Sequence, residues 1–252
     1  MSRRVQNAPA TTIDLPGRRS GPLLFQDVFS KWPMILHGVW LTIALSFVAI
    51  TLGLVLATAM TALRSLAGSW AGYIVDAYVE LMRNTPFLVQ LFMIFFGLPQ
   101  IGIRLDGLEA SVLAMTLNLA AYATEIIRAG VDSIHKSQIE AGLALAMSKW
   151  QVLKHVVLQP AFARVWPALS SQFVLMMLAS SICSFVSVQE LSGTAAIIEQ
   201  DTFRSFETYI VVTVIYLVLA LSLKLFLNWL GRRLFPQVSG LARLAEAHGE
   251  AA

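Results

Sequence analysis

The residues of this chain that could do polar chemistry are few, and most stand at helical spacing within long uncharged runs. Asn118, Tyr122 and Glu125 fall on one helical face, with Arg128 three residues beyond the carboxylate. Such a carboxylate either serves the passage of a polar solute or ion, or pairs with the arginine beside it. Asp76, Glu80 and Arg83 stand at i, i+4 and i+7 just before Pro86, which makes either a salt-linked face or a gate or subunit contact. Ser180, Ser184 and Ser187 also fall on one helical face, with Ser181 nearby. Their hydroxyls could bond a passing polar solute or simply a neighbouring helix. The segment IEAGLALA, Ile139 to Ala146, places Glu140 at the start of a helix of small residues, where a carboxylate is favourable. Such a helix either enters a groove on another protein or lies as an amphipathic connector on a membrane.

Other chemistries find no residues to carry them. None of the five lysines follows a glycine, so no GxxxxGK[ST] phosphate loop exists and the chain is not expected to hydrolyse ATP. His37, His135, His155 and His248 are scattered with no HExxH, and no metal site is expected. There is no GxSxG elbow. The single cysteine, Cys183, sits in an apolar run and can build neither a disulfide framework nor a Cys-rich metal site. The reading is of a non-enzyme with no catalytic residue.

The elements that must position these groups follow from composition. Of 252 residues, 57% are hydrophobic and 13% charged, about half the charged share of a soluble domain, with a mean hydropathy of +0.69. The formal charge of +3 reflects Lys and Arg at membrane edges rather than nucleic-acid binding. A spanning helix needs roughly 20 mainly apolar residues. Charge-free stretches give five spans, at about 36–63, 70–98, 109–131, 165–189 and 208–231, in an all-α polytopic membrane protein with one domain over 34–233. The second is irregular because Pro86, Gly97 and Pro99 interrupt it. Lys224 near the end of the fifth can snorkel toward lipid headgroups. Ala49, Gly53, Ala57 and Thr61 form a small-residue stripe on span one that lets another helix approach closely. Residues 1–33 read as a flexible polar tail without the apolar segment of a signal peptide, and 234–252 as a second tail. The long interval 132–164 holds an amphipathic stretch, Ile134 to Val157, expected to end at Pro160.

An odd span count puts the termini on opposite sides. Arg64, Arg128, Lys136, Lys149, Lys154, Arg164, Arg232, Arg233 and Arg243 gather on one side, against Arg104 and Arg204 between spans on the other. The positive-inside rule then makes the 132–164 loop and the C-terminus cytoplasmic. The basic tail, with Arg3, Arg4, Arg18, Arg19 and Lys31, opposes that assignment.

Several motifs in order resemble the polar amino acid family of bacterial ABC importer permeases, the histidine/glutamate/glutamine type, from about His37 to Arg233. They are RNTPFLVQLF at Arg83–Phe92, GLPQ at Gly97–Gln100, AAYATEIIRAGVDSI at Ala120–Ile134, QIEAGLALAMS at Gln138–Ser148, SVQEL at Ser187–Leu191 and TFRSFETY at Thr202–Tyr209. The resemblance implies a type I importer permease in the bacterial inner membrane, with a periplasmic N-terminus and a cytoplasmic coupling-helix loop. It implies as partners an ATP-hydrolysing subunit that holds ATP and Mg, a second permease and a periplasmic solute-binding protein, besides membrane lipids. No nucleic acid and no cofactor on this chain are implied. The family's coupling signature maps onto Glu140, Ala141 and Gly142.

Three departures stand out. Ala146 replaces the family's usual glycine, LPQA becomes Leu158-Gln159-Pro160-Ala161, and Leu178-Ala179-Ser180-Ser181 replaces a Lys-Asp-Thr-Ser stretch suited to a zwitterion. The last departure leads to the expectation of a non-identical permease partner that retains the charges. The competing reading, an autonomous ion-coupled transporter or channel, needs substrate and ion groups at its own midplane, and this chain offers few.

Overall fold

A computed structural model of the chain describes residues 25–66 and 69–236; most of the two tails, Arg243 and His248 lie outside them. Among the described residues every regular element is helical. A short α1 (Gln26–Ser30) leads into α2 (Trp32–Leu66), 35 residues and the first span. Next come α3 (Ser69–Arg83) and α4 (Phe87–Phe92), the latter continued by a π-turn to Gly97 and a 3-10 turn to Ile101. α5 (Gly107–Asp132) is the third span, opened by an Asp106–Glu109 capping box. On the far side of it lie α6 (Lys136–Ala144) and α7 (Lys149–Gln151), and a π-helical stretch, Val152–Leu158, runs without a break into α8 (Gln159–Ala179). A 3-10 turn (Ser180–Val186), α9 (Leu191–Thr202) and α10 (Ser205–Leu234) complete the chain.

Four helices are long and apolar enough to cross a membrane, and the pair α3–α4 makes a fifth crossing only as a broken span bent by 107°. The second span expected at 70–98 is therefore two helices meeting at Pro86, whose ring excludes a continuous helix. The fourth is longer than expected: Pro160 does not end a helix, and the helical run extends from Lys149 to Val186. The wider π-turn ahead of Pro160 accommodates a ring that would press on the carbonyl one turn back in a regular α-helix.

The core forms around α5, two-thirds of whose apolar window is buried, against 11% for α10. The small-residue stripe of α2 meets α5. Ala49 and Ala57 are fully buried, and a Cβ on Gly53 would stand 3.0 Å from the Leu119 side chain. A second cluster, Val28, Ile35, Leu191, Ala195, Ile198, Val211 and Val212, ties α1 and the first turns of α2 to α9 and α10. Two ion pairs clamp the same end, Lys31–Asp201 at 3.1 Å and Arg204–Asp27 at 3.6 Å. Beside them the partly exposed Glu199 carboxyl is held below its ordinary value by hydrogen bonds from Ser205 and Tyr209.

Candidate functional site

Pro86 decides the local geometry of the site. A regular helix would have the Pro86 nitrogen donate to the Met82 carbonyl, and proline has no hydrogen to give. Gln90 Nε2 donates to Met82 O at 2.7 Å instead, and to Thr85 Oγ1 at 2.8 Å. Asn118 Nδ2 on α5 donates to Gln90 Oε1 at 2.9 Å and so orients the amide. Gln90 and Asn118 are both buried, and Tyr78 Oη adds a bond to Leu117 O at 2.6 Å. The break between α3 and α4 is thereby stitched to α5, which swings α3 alongside it.

That placement brings two groups, separate in the sequence, into one pocket of about 500 Å³. Asp76, Glu80, Arg83 and Asn84 line it from α3 and its end, and Tyr122, Glu125 and Arg128 line it from α5. Glu125 is held between two cations, Arg128 within its own helix and Arg83 at 3.8 Å across the pocket. The Arg83 guanidinium also lies 5.7 Å from the centre of the Tyr122 ring. Asp76 pairs with Arg64 of α2, which ties the α3 wall of the pocket to a third helix. Carboxylates and guanidiniums thus face each other across one partly open space, an arrangement that can hold the ammonium and carboxylate of a zwitterion at once. Tyr122 also lines a smaller neighbouring pocket of about 300 Å³, with Pro86, Asn118, Gln172, Met176 and Ala179. The two pockets meet at this ring.

The serines are not brought together. The chain leaves α-geometry after Ala179 and continues at three residues per turn, so Ser180, Cys183 and Val186 share the buried side. Ser180 Oγ donates to Met177 O at 2.6 Å and Ser184 Oγ to Ser181 O at 2.7 Å, while Ser187 turns away in a left-handed conformation at φ 65°. The single face expected for Ser180, Ser184 and Ser187 is absent, and none of them lines either pocket.

Sequence reasoning passed over Gln90, Arg64 and Glu190 as site residues. The signal for Gln90 was its place four residues after Pro86, in RNTPFLVQLF. Glu190, in the SVQEL motif, is completely buried and caps α9 through Gly193 N at 2.9 Å. It also receives Tyr216 Oη of α10 at 2.6 Å and lies 3.3 Å from Thr42 Oγ1 of α2. Burial pushes its carboxyl above the ordinary range, opposed by hydrogen bonds from Tyr216, Ser192, Gly193 and Thr42.

On the side of the molecule where α5 ends, α6 presents Glu140 and Ala141 to solvent and buries Gly142. A Cβ there would stand 3.2 Å from Val152 Cγ2 and 3.4 Å from Val156 Cγ2, so the small residue is needed for internal packing. The helix ends in a Schellman motif, with Met147 N donating to Gly142 O and Ala146 N to Leu143 O. Ala146 holds the left-handed position at φ 58°, the conformation glycine adopts most readily. Leu143, Leu145 and Trp150 are 48%, 78% and 56% exposed and form an apolar surface beside Glu140.

Residues 49–236 match the family described as binding-protein-dependent transport system inner membrane component. The chain is 34% identical over 207 residues to the probable glutamine ABC transporter permease protein GlnM of Bacillus subtilis strain 168, covering 82% of this chain and 96% of that one. It is 33% identical over 204 residues to the glutamine transport system permease protein GlnP of Escherichia coli K12, covering 80% and 93%. A crystal structure of an amino acid ABC transporter with histidines superposes with a TM-score of 0.76 at 31% identity, covering 84% of this chain and all of that one. An inward-facing MetNI methionine ABC transporter shares the fold, with a TM-score of 0.71 at 21% identity over 81% and 98% of the two chains.

Proposed function

Because this chain belongs to the family of binding-protein-dependent transport system inner membrane components, we propose that it is the permease subunit of an ATP-driven importer for a polar amino acid or related amino-carboxylate. The observation that carries the substrate class is the pocket between α3 and α5, where Asp76, Glu80 and Glu125 face Arg83 and Arg128. Its two signs of charge match a zwitterion, and Tyr122 stands where it meets the smaller pocket, in the position of a gate.

Hydrolysis of ATP, with its Mg, belongs to a partner subunit, which docks on α6 through Glu140, Ala141 and the exposed Leu143, Leu145 and Trp150. Glu125 lies seven residues, roughly 10 Å of helix, before Asp132, and α6 follows it directly. A displacement of α6 therefore reaches the charged pocket through one rigid helix. In this reading Ala146 shapes the docking helix by closing its last turn. A solute-binding protein delivers cargo on the opposite side, where α1 lies, with the N-terminus periplasmic and the C-terminus cytoplasmic. The neutral stretch Leu178–Ser181, whose serine hydroxyls bond their own helix, supports a non-identical second permease that supplies the missing charges.

Reconstitution with the ATPase and binding protein tests the assignment. Glu125→Gln should abolish most uptake while ATP hydrolysis continues; unchanged uptake removes the pocket from the path. Glu140→Arg should prevent ATPase recovery in a pull-down from solubilised membranes, and full recovery would dismiss α6 as the docking element. The same pull-down, read by mass spectrometry, should yield a second permease; an ATPase alone would establish a homodimer instead.

A further inference from the structure

The outer face of the helix bundle carries an apolar groove that neither the charged pocket nor the docking surface uses. Ile43, Phe47 and Ile50 of α2, Phe173 of α8, and Leu223 and Phe226 of α10 are among its walls, and its volume is about 470 Å³. On α10 the lining runs from Leu219 to Leu230, roughly 16 Å of helix, about half the hydrocarbon thickness of a bilayer. The groove is thus one leaflet deep. The helix that forms its rim also turns apolar side chains outward, with Leu217, Leu221 and Leu225 each more than half exposed and Lys224 the single charge between Glu207 and Arg232.

The groove is apolar along its length and basic at one end. Arg233 follows Phe226 and Leu230 at i+7 and i+3, so it stands on the groove's face one turn past its last residue. Its guanidinium lies 5.5 Å from the centre of the Trp229 ring, and Trp229 stacks on the groove wall at Phe226 with ring centres 5.9 Å apart. Arg232 is its neighbour, and among the described residues no carboxylate stands within ion-pair distance of either arginine. Trp166 Nε1, at the same end, is already bonded to Leu227 O at 3.0 Å, so that indole does not compete for the phosphate.

We propose that this groove is a binding site for one acyl chain of an anionic phospholipid whose phosphate is held by Arg233. An indole stacked under a guanidinium is a preorganised anchor at headgroup depth, and a guanidinium takes a phosphate bidentately. A groove one leaflet long sets the acyl chain below it in register with that contact. The site lies in the leaflet on the side of α6 and the C-terminus, which is the cytoplasmic, anionic leaflet under the proposed orientation. Only that leaflet assignment rests on the importer reading.

The full chain, purified in detergent and exchanged into mixed micelles, is to be labelled with phosphatidylglycerol or phosphatidylcholine carrying a photoreactive acyl chain, and the labelled peptides mapped by mass spectrometry. Phosphatidylglycerol should label residues 43–54, 166–177 and 219–230 about fivefold more than phosphatidylcholine, the factor expected of one interfacial cation. Arg233→Gln, an exposed change that leaves the fold intact, should erase the preference, and Arg233→Lys should restore most of it. Leu223→Trp, which fills the groove, should lower labelling by both lipids. Equal labelling by the two lipids in the wild type, or a preference that survives Arg233→Gln, overturns the site. Loss of labelling when the chain is assembled with its partner permease does so too, since a protein would then cover the groove. No transport step enters this readout, so failure of the importer reading would show in uptake and not here.

Discussion

Replacing Gln90 with leucine isolates the device that holds the broken span. The side chain keeps its bulk, so the cost lies in hydrogen bonds. Met82 O loses the 2.7 Å donor that stands in for the missing proline hydrogen, and Asn118 Nδ2 loses its 2.9 Å acceptor. Each buried group left unpaired costs about 1–3 kcal/mol, and interhelical bonds within membranes fall toward the lower end. The sum is about 2–3 kcal/mol of stability. Asn118→Leu strands only Gln90 Oε1 and should cost about 1–2 kcal/mol. Because both variants break the same bond, the double variant should fall short of additivity by about 1 kcal/mol. Val89→Ala, next door but 49% exposed, provides the control and should stay within about 0.5 kcal/mol of wild type. Unfolding in mixed detergent, followed by circular dichroism, reads all four. If Gln90→Leu unfolds with the wild type, or if the two changes add in full, the kink is not held as described and the placement of Arg83 opposite Glu125 needs another cause.

Ala146→Gly should relieve about 1–2 kcal/mol of left-handed backbone cost while adding about 0.5–1 kcal/mol of unfolded-state entropy, for a net gain near 0.5 kcal/mol. Slower amide exchange at Ala146 and Met147 is the expected reading; faster exchange contradicts the cap. Glu190→Gln preserves shape and one acceptor, with Gly193 N on the amide oxygen and the Tyr216 hydroxyl turned to accept from the amide nitrogen, and should cost about 1 kcal/mol, whereas Glu190→Ala leaves Tyr216 Oη and Gly193 N unpaired and should cost about 3 kcal/mol. Equal losses in a thermal melt would deny the hydrogen-bonded hub. Ser184→Ala should leave uptake unchanged, because that hydroxyl is spent on Ser181 O; a clear loss of transport would return the serine to the path.

Much of this architecture is legible along the chain because bilayer crossing is a one-dimensional demand. Length, apolar runs and the position of Lys and Arg establish the spans, and ordered motifs such as RNTPFLVQLF and QIEAGLALAMS point to the family. The i, i+4, i+7 arrangement of Asp76, Glu80 and Arg83 and the face of Tyr122 and Glu125 follow from helix period alone. That these two faces meet does not, since it depends on the 107° bend at Pro86 and on Gln90 and Asn118 holding it. The serines fail for a related reason: period reasoning assumes 3.6 residues per turn, and packing after Ala179 tightens the chain to three. Ala146 shows the opposite relation, in which an unusual residue at a marked position waited for a backbone angle to explain it. Local spacing is written in the order of residues. The partner of each polar group is decided only when helices distant in the chain come into contact, because hydrogen bonds and ion pairs are satisfied in three dimensions.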